Sequence, residues 1–270
     1  MSLSRNAAGD LGIRPLTARS VLLSTLLGLD PPVLPGHRLV ATAGLFGITE
    51  NAARVALSRM TAAGELVAED GRYRLADRFL ARQRRQESGR HPTPRRWSGA
   101  WHVLVIASGR RPADERAELR AVLRDGRLAE WREGVWTRPA NVPKAALPDH
   151  LSSWCTWVEA RPDTDAHALA AHLWDLERHA RVAAGLTDRL QATRRALGDA
   201  DVSVLGPGFV LSAAVLRHLA ADPLLPVPLL PPHWPNDALR VVYDDWDRAY
   251  RAVLAKWHRA GPRGGQLSAT

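Results

Sequence analysis

The chain reads Gly44-Leu45-Phe46-Gly47-Ile48-Thr49-Glu50-Asn51-Ala52-Ala53-Arg54-Val55-Ala56-Leu57-Ser58-Arg59-Met60 at the point that decides its fold. An apolar helix runs into a glycine-containing turn, and a second helix is predicted to begin at Thr49. Small and apolar residues recur on this second helix at i, i+3, i+4 and i+7, so they share one face. These inward residues are Ala53, Ala56, Leu57 and Met60.

The opposite side of the second helix carries residue types that bind DNA. Arginine pairs with the edge of guanine and asparagine with that of adenine, while serine contacts either a base or a phosphate. A short helix with such an outer face fits the major groove, so the pattern predicts a helix-turn-helix. The alternative is a small helical core with no such role. The predicted DNA-binding residues on this helix are Asn51, Arg54, Val55, Ser58 and Arg59.

A β-hairpin is predicted directly after the second helix. Leu66–Glu69 and Arg72–Leu75 flank Asp70-Gly71, a dipeptide that favours a two-residue hairpin turn. Because side chains alternate along a strand, Arg72 and Arg74 share one face, where they can reach backbone phosphates. Helix, turn, helix and hairpin in this order predict a winged helix-turn-helix.

The net charge is unevenly distributed along the chain. The whole sequence carries a formal charge of +9, of which residues 1–100 contribute +7 and residues 101–270 contribute +2. The basic excess therefore accompanies the predicted helix-turn-helix, as expected for a protein that binds a polyanion. One cysteine excludes an intrachain disulfide, and no apolar stretch is predicted to cross a membrane. We expect a cytoplasmic protein.

The composition changes after a proline-containing linker near residue 92, and all ten tryptophans lie at or beyond Trp97. Residues 14–90 are predicted to form the winged helix-turn-helix with a trailing basic helix. Residues 97–186 are predicted to form a ferredoxin-like α/β sandwich, and residues 187–258 a helical domain. Residues 1–13 and 259–270 are predicted to be flexible tails. The fold class is therefore α+β, in several domains.

The spacing of apolar residues and the positions of prolines give two further predictions of local structure. One long helix is predicted over Asp165–Leu186, with a separate helix over Thr187–Ala196. Earlier in the chain, Pro31, Pro32 and Pro35 are predicted to interrupt regular structure between the first two helices.

Taken together, the landmarks resemble the PaaX-like family of phenylacetate-catabolism repressors, from about Arg14 to about Trp257. The resemblance rests on the order and spacing of several short motifs. These are the blocks Arg54–Met60, Ala63–Leu66 and Glu69–Leu75, then Trp97-x-Gly99-x-Trp101, Asp222-Pro223-x-Leu225-Pro226, and Leu229-Leu230-Pro231-x-x-Trp234-Pro235.

The resemblance implies a homodimeric bacterial transcription factor that binds an inverted-repeat operator in double-stranded DNA. It implies an N-terminal winged helix-turn-helix, a central domain like the CRISPR-adaptation protein Cas2, and a C-terminal helical domain. Many members of the family are repressors released by an aryl-acetyl-CoA thioester. Any such effector is expected to bind within residues 97–258, where arginines and tryptophans occur together, and no pocket residue is assigned.

Two other functions remain open. A nuclease with a Cas2-like domain would hold Mg²⁺ at the end of its first strand, but here that strand ends Ile106-Ala107-Ser108-Gly109, without a carboxylate. We therefore predict no catalytic residue, no metal site and no cofactor. A regulator or activator without any small-molecule effector is the second alternative.

Overall fold

A computed structural model describes residues 16–29, 31–110 and 112–260, except for the side chains at positions 78, 81 and 82. The predicted tail at residues 1–13 lies outside the described residues, as do residues 261–270 of the second tail. Arg259 and Ala260 were also expected in that second tail, but they are helical. The last helix therefore continues two residues further than its sequence pattern indicated.

Contacts divide the described residues into two units. The first unit contains residues 16–86, 184–217 and 238–260, and the second contains residues 87–183 and 218–237. Both units combine helices with an antiparallel sheet, which confirms the α+β class. The three-domain division drawn from the sequence stays a prediction.

The N-terminal part of the first unit is built from helices and a three-stranded sheet, with strand order β1-β3-β2. Its core is formed mainly by leucines of the first three helices, with Met60 and two leucines of the sheet. The elements are α1 (Ala18–Leu27), β1 (Val33–Pro35), α2 (Gly36–Gly44), α3 (Glu50–Ala62), β2 (Leu66–Glu69), β3 (Arg72–Leu75) and α4 (Asp77–Arg90).

Side-chain caps and a tight turn set these boundaries. Thr17 caps α1 in a reciprocal arrangement with Ser20, and Thr49 Oγ1 accepts a hydrogen bond from the Ala52 amide at 3.3 Å. Asp70 and Gly71 have φ of 48° and 71°, as a two-residue hairpin turn requires. Both the helix start at Thr49 and the hairpin therefore form where the sequence predicted them.

The strand β1 was not expected, because Pro31, Pro32 and Pro35 were predicted to interrupt regular structure. Val33–Pro35 nevertheless pairs with β3, and it lies at the edge of the sheet, where proline is tolerated. The Gly36 amide then donates to the Gly71 carbonyl at 2.9 Å. A Cβ atom at Gly36 would lie 2.9 Å from the Tyr73 ring, so the close approach requires glycine.

The second unit contains a four-stranded antiparallel sheet with strand order β5-β6-β4-β7. One apolar cluster joins Leu104 and Trp136 of the sheet to Leu119 and Leu123 of a helix, and another surrounds the buried Trp101. The elements are β4 (Trp101–Ile106), α5 (Ala113–Asp125), β5 (Ala129–Arg132), β6 (Val135–Pro139), α6 (Asp149–Ser152) and β7 (Cys155–Ala160).

The helix predicted over Asp165–Leu186 is wrong in its extent. The structure has α7 (Ala166–Leu173) and α8 (Leu176–Gly198), and Trp174 between them is extended, with φ −128° and ψ 134°. Asp175 Oδ1 accepts a hydrogen bond from the Arg178 amide at 3.1 Å and so starts α8. The separate helix predicted from Thr187 is also wrong, because α8 runs through residues 186 and 187 without a break.

Two further helices, α9 (Leu205–Ala220) and α10 (Asn236–Ala260), complete the described chain. Trp246 Nε1 on α10 donates to Thr193 Oγ1 on α8 at 2.8 Å, and the Tyr250 hydroxyl donates to the Leu205 carbonyl at 2.8 Å. Val202–Ala220 is long and apolar enough to cross a membrane by composition, yet half of that segment is buried inside the structure. A helix in a protein core has the same character.

Candidate nucleic-acid interface

Helix α3 has one buried face and one exposed face. Ala53, Leu57 and Met60 are at most 2 % exposed and belong to the apolar core, while Ala56, also predicted to point inward, is half-buried. The opposite side chains are exposed, and Val55 keeps 41 % of its surface in solvent. The exposed residues are those that the sequence assigned to DNA, namely Asn51, Arg54, Val55, Ser58 and Arg59.

Arg54 is held by a carboxylate one helical turn before it. Its Nε lies 2.8 Å and its Nη2 lies 2.7 Å from Glu50 Oε1, in an i,i+4 ion pair whose side chains are 63 % and 66 % exposed. Exposed pairs of this kind stabilise a helix by only about 0.3–0.5 kcal/mol. Arg54 can therefore leave Glu50 at little cost when a stronger acceptor is present.

Arg59 lies in the last turn of α3 with an exposed side chain. No ion pair or side-chain hydrogen bond of Arg59 occurs within the described part of the chain. Its charge near the C-terminal end of a helix is favourable to the helix dipole. This guanidinium is available to a ligand without first breaking an internal contact.

Arg72 and Arg74 lie on the third strand of the first sheet, and both side chains are exposed. They are two residues apart on one strand, so they point to the same side of the hairpin. Arg74 Nη1 lies 3.9 Å from Asp77 Oδ1, and Asp77 is 91 % exposed, which makes this a loose pair. The hairpin therefore presents two exposed positive charges on one face.

A further ion pair, which the sequence did not indicate, supports the start of the hairpin. Arg19 on α1 donates to both carboxylate oxygens of Glu65, from Nε to Oε2 at 2.8 Å and from Nη2 to Oε1 at 2.7 Å. These hydrogen bonds raise the pKa of Arg19 above its ordinary value. The bidentate contact fixes the turn between α3 and β2 against α1.

The C-terminal helices of the first unit contact its helix pair α2 and α3. The Phe46 ring, in the turn between α2 and α3, lies 4.9 Å from the Phe209 ring of α9, in an edge-on arrangement. His258 Nε2 on α10 lies 3.4 Å from Thr42 Oγ1 on α2. Sequence reasoning missed both contacts, because no local pattern joins residues so far apart in the chain.

In the second unit, a cleft of about 810 Å³ lies at the end of β4, where a Cas2-like nuclease would hold its metal. Ser108, Gly109, Arg116, Arg120 and Glu133 are among its lining residues. Within the described residues, no group of three or more histidine, cysteine, aspartate or glutamate side chains is arranged to hold a metal ion.

Comparisons with known proteins place the chain in a family. The family model for PaaX-like proteins matches residues 17–79, which run from the cap of α1 into α4. An uncharacterized protein from Mycobacterium tuberculosis, Rv0674, is 41 % identical, with a TM-score of 0.64, over 89 % of this chain and 98 % of the other. No curated protein matches the chain.

Residues 17–79 place the chain in the PaaX-like family. This family is one of transcriptional regulators, and it is regulatory rather than enzymatic.

Proposed function

We propose that the protein is a sequence-specific DNA-binding regulator whose reading element is α3. The observation that carries this proposal is the division of α3 into a buried apolar face and an exposed face of Asn51, Arg54, Val55, Ser58 and Arg59. The hairpin β2–β3 follows as a wing, so the first unit acts as a winged helix-turn-helix. We place the protein in the cytoplasm, where it reaches double-stranded DNA.

The exposed residues of α3 suit the major groove in chemical type. Arg54 and Arg59 can each form a bidentate contact with guanine, and Asn51 can form one with adenine. Val55 supplies an apolar contact for the methyl group of thymine, and Ser58 can bind a base or a phosphate. Arg72 and Arg74 of the wing bind backbone phosphates, which add affinity but carry no sequence information.

We further propose that the protein acts as a homodimeric repressor on an inverted repeat. Two copies of α3 must then enter major grooves on the same side of the duplex, separated by about one helical turn, ~34 Å. A ligand that changes the distance between the two reading helices would break this register and release the operator. By its family resemblance, that ligand is an acyl-CoA, specifically an aryl-acetyl-CoA thioester.

Selection of genomic DNA fragments by the purified protein tests the proposal. Fragments retained by the wild type should share an inverted repeat, and Arg59→Ala should retain them poorly while melting at the temperature of the wild type. Recovery of unrelated fragments by both proteins would contradict sequence-specific reading by α3. Incubation of the same duplexes with Mg²⁺ checks for nuclease activity, and we expect the DNA to stay intact.

A further inference from the structure

His258, in the last turn of α10, contacts Thr42 in the last turn of α2. Its Nε2 is 3.4 Å from Thr42 Oγ1, and Thr42 Oγ1 donates to the Arg38 carbonyl at 2.9 Å. Thr42 is 2 % exposed, so the ring of His258 rests on a buried part of α2, whereas His37 and Arg38 are exposed. Three basic side chains from two elements therefore lie together; we refer to His37, Arg38 and His258 as the α2–α10 cluster.

The α2–α10 cluster has no acidic member. The pKa of His258 is lowered from its ordinary value, first by burial and then by the positive charge of Arg38 and of His37. No carboxylate among the described residues opposes this shift, and neither His37 nor Arg38 has an ion-pair partner there. Arg259, exposed at the next position of α10, adds to the positive charge. The positive charge around His258 disfavours protonation of its ring and attracts anions.

We propose that the α2–α10 cluster binds a phosphate of the DNA backbone, so that the C-terminal helix α10 contributes His258 to the DNA interface. The inference rests on the proposed function and extends it to a residue far from the reading helix. In helix-turn-helix proteins the first helix of the pair crosses the DNA backbone while the second enters the groove. Here α2 is that first helix; its first turn carries Arg38, and Thr42, one turn further on the same face, contacts His258.

The hydrogen bonds around Thr42 identify the atom that takes up a proton. The hydroxyl hydrogen of Thr42 is directed to the Arg38 carbonyl, so Nε2–H of His258 is the donor in the contact with Thr42. Nδ1 is then the nitrogen that titrates. A neutral Nδ1 can only accept a hydrogen bond, so it has no proton to donate to a phosphate oxygen. A protonated Nδ1 donates a charge-assisted hydrogen bond to that oxygen.

DNA binding should therefore be coupled to proton uptake. A bound phosphate raises the pKa of His258 above its value in the free protein. The additional affinity for DNA is therefore fully present at pH values below the pKa of His258 in the free protein. It is lost as pH rises through the pKa of the complex. If the phosphate raises the pKa by one unit, the affinity for DNA changes by about tenfold across that range.

The test is a titration of fluorescein-labelled, mixed-sequence duplex DNA with the full-length protein, followed by fluorescence anisotropy. As the pH rises from about 5 to about 8, the affinity of the wild type should fall by up to about tenfold, and His258→Gln should lose most of this decrease. The matched control is His167→Gln, an exposed histidine on α7 in the second unit, which should behave as the wild type. Melting curves at both pH values show whether each variant is folded.

Arg38→Gln provides a second, independent test, because Arg38 is exposed and loss of its side chain leaves the core unchanged. The salt dependence of binding should weaken by about 0.9 in slope, as for one lost phosphate contact. If His258→Gln retains the pH dependence and Arg38→Gln retains the slope, this inference is wrong while the proposed function stands. A wild type that binds no duplex DNA at either pH contradicts both.

Discussion

Phe46 and Phe209 pack edge to face, with ring centroids 4.9 Å apart and an interplanar angle of 63°. Phe46 belongs to the turn that joins α2 to α3, and Phe209 belongs to α9, far along the chain. The orientation of α3 therefore depends on a helix that the sequence assigned to a separate C-terminal domain. Perturbing this contact should affect the stability of the first unit.

A double-mutant cycle measures that dependence. Phe46→Ala and Phe209→Ala should each destabilise the protein, and their coupling free energy should be about 0.5–1.5 kcal/mol, the usual value for an aromatic pair. Urea denaturation of the two single variants and the double variant gives the coupling directly. Strictly additive effects would show that the two rings do not interact in solution.

The wing should contribute affinity without specificity. Arg72→Ala removes an exposed charge from the hairpin, so binding should weaken about equally for all DNA sequences. The slope of log K against log salt should fall by about 0.9. Titrations of an operator and of an unrelated duplex at several salt concentrations check both points. A loss confined to the operator would instead make Arg72 a base-reading residue.

Acid should destabilise the protein through buried histidines. His102 on β4 is 8 % exposed, and its pKa is lowered first by burial and then by the positive charge of Lys144; Glu159 opposes this shift, and Arg138 adds the smallest lowering effect. The unfolded chain therefore binds a proton more readily than the folded protein does. The stabilisation from neutral His102 is complete above about pH 6.5 and declines as pH falls toward the folded-state pKa.

Melting temperatures at about pH 7.5 and about pH 5.5 test this. The wild type should melt at a lower temperature in acid, and His102→Gln should show a smaller difference between the two pH values. His258, whose pKa is also lowered, contributes in the same direction. Equal differences for the wild type and His102→Gln would exclude His102 as a source of acid sensitivity.

An acyl-CoA effector should change the intrinsic tryptophan fluorescence. All ten tryptophans lie at or beyond Trp97, and in the second unit the Trp101 ring lies 6.4 Å from the rings of both Trp97 and Trp174. Titration with aryl-acetyl-CoA thioesters should give a saturable signal and weaken operator binding over the same concentrations; free CoA is the control. If no thioester changes either signal, the effector proposal fails and DNA binding is unaffected.

Local chemistry explains why much of the fold could be predicted. Thr49 caps α3 and Asp70-Gly71 forms the hairpin turn, because each preference is decided by a few neighbouring atoms. The exposed face of α3 was predicted for the same reason, since helical spacing alone determines which residues share a side. The role of that face in binding DNA stays a prediction.

The errors arise where distant parts of the chain decide the structure. Apolar spacing continues across Trp174, so the sequence concealed the break that Asp175 introduces. The edge strand β1, just before α2, forms because it pairs with β3, even though it ends in a proline. The contact between His258 and Thr42 has no local signal at all, because it joins the first and last parts of the described chain.

The most direct test of the account compares Arg54→Ala with Arg181→Ala in operator binding. Both arginines are exposed and both form i,i+4 ion pairs with glutamate, Arg54 on the reading helix and Arg181 with Glu177 on α8. Arg54→Ala should lose about 1–3 kcal/mol of operator affinity and relax the preference at one base pair. Arg181→Ala should bind as the wild type does, and equal affinities for all three proteins would contradict the assignment of α3 as the reading helix.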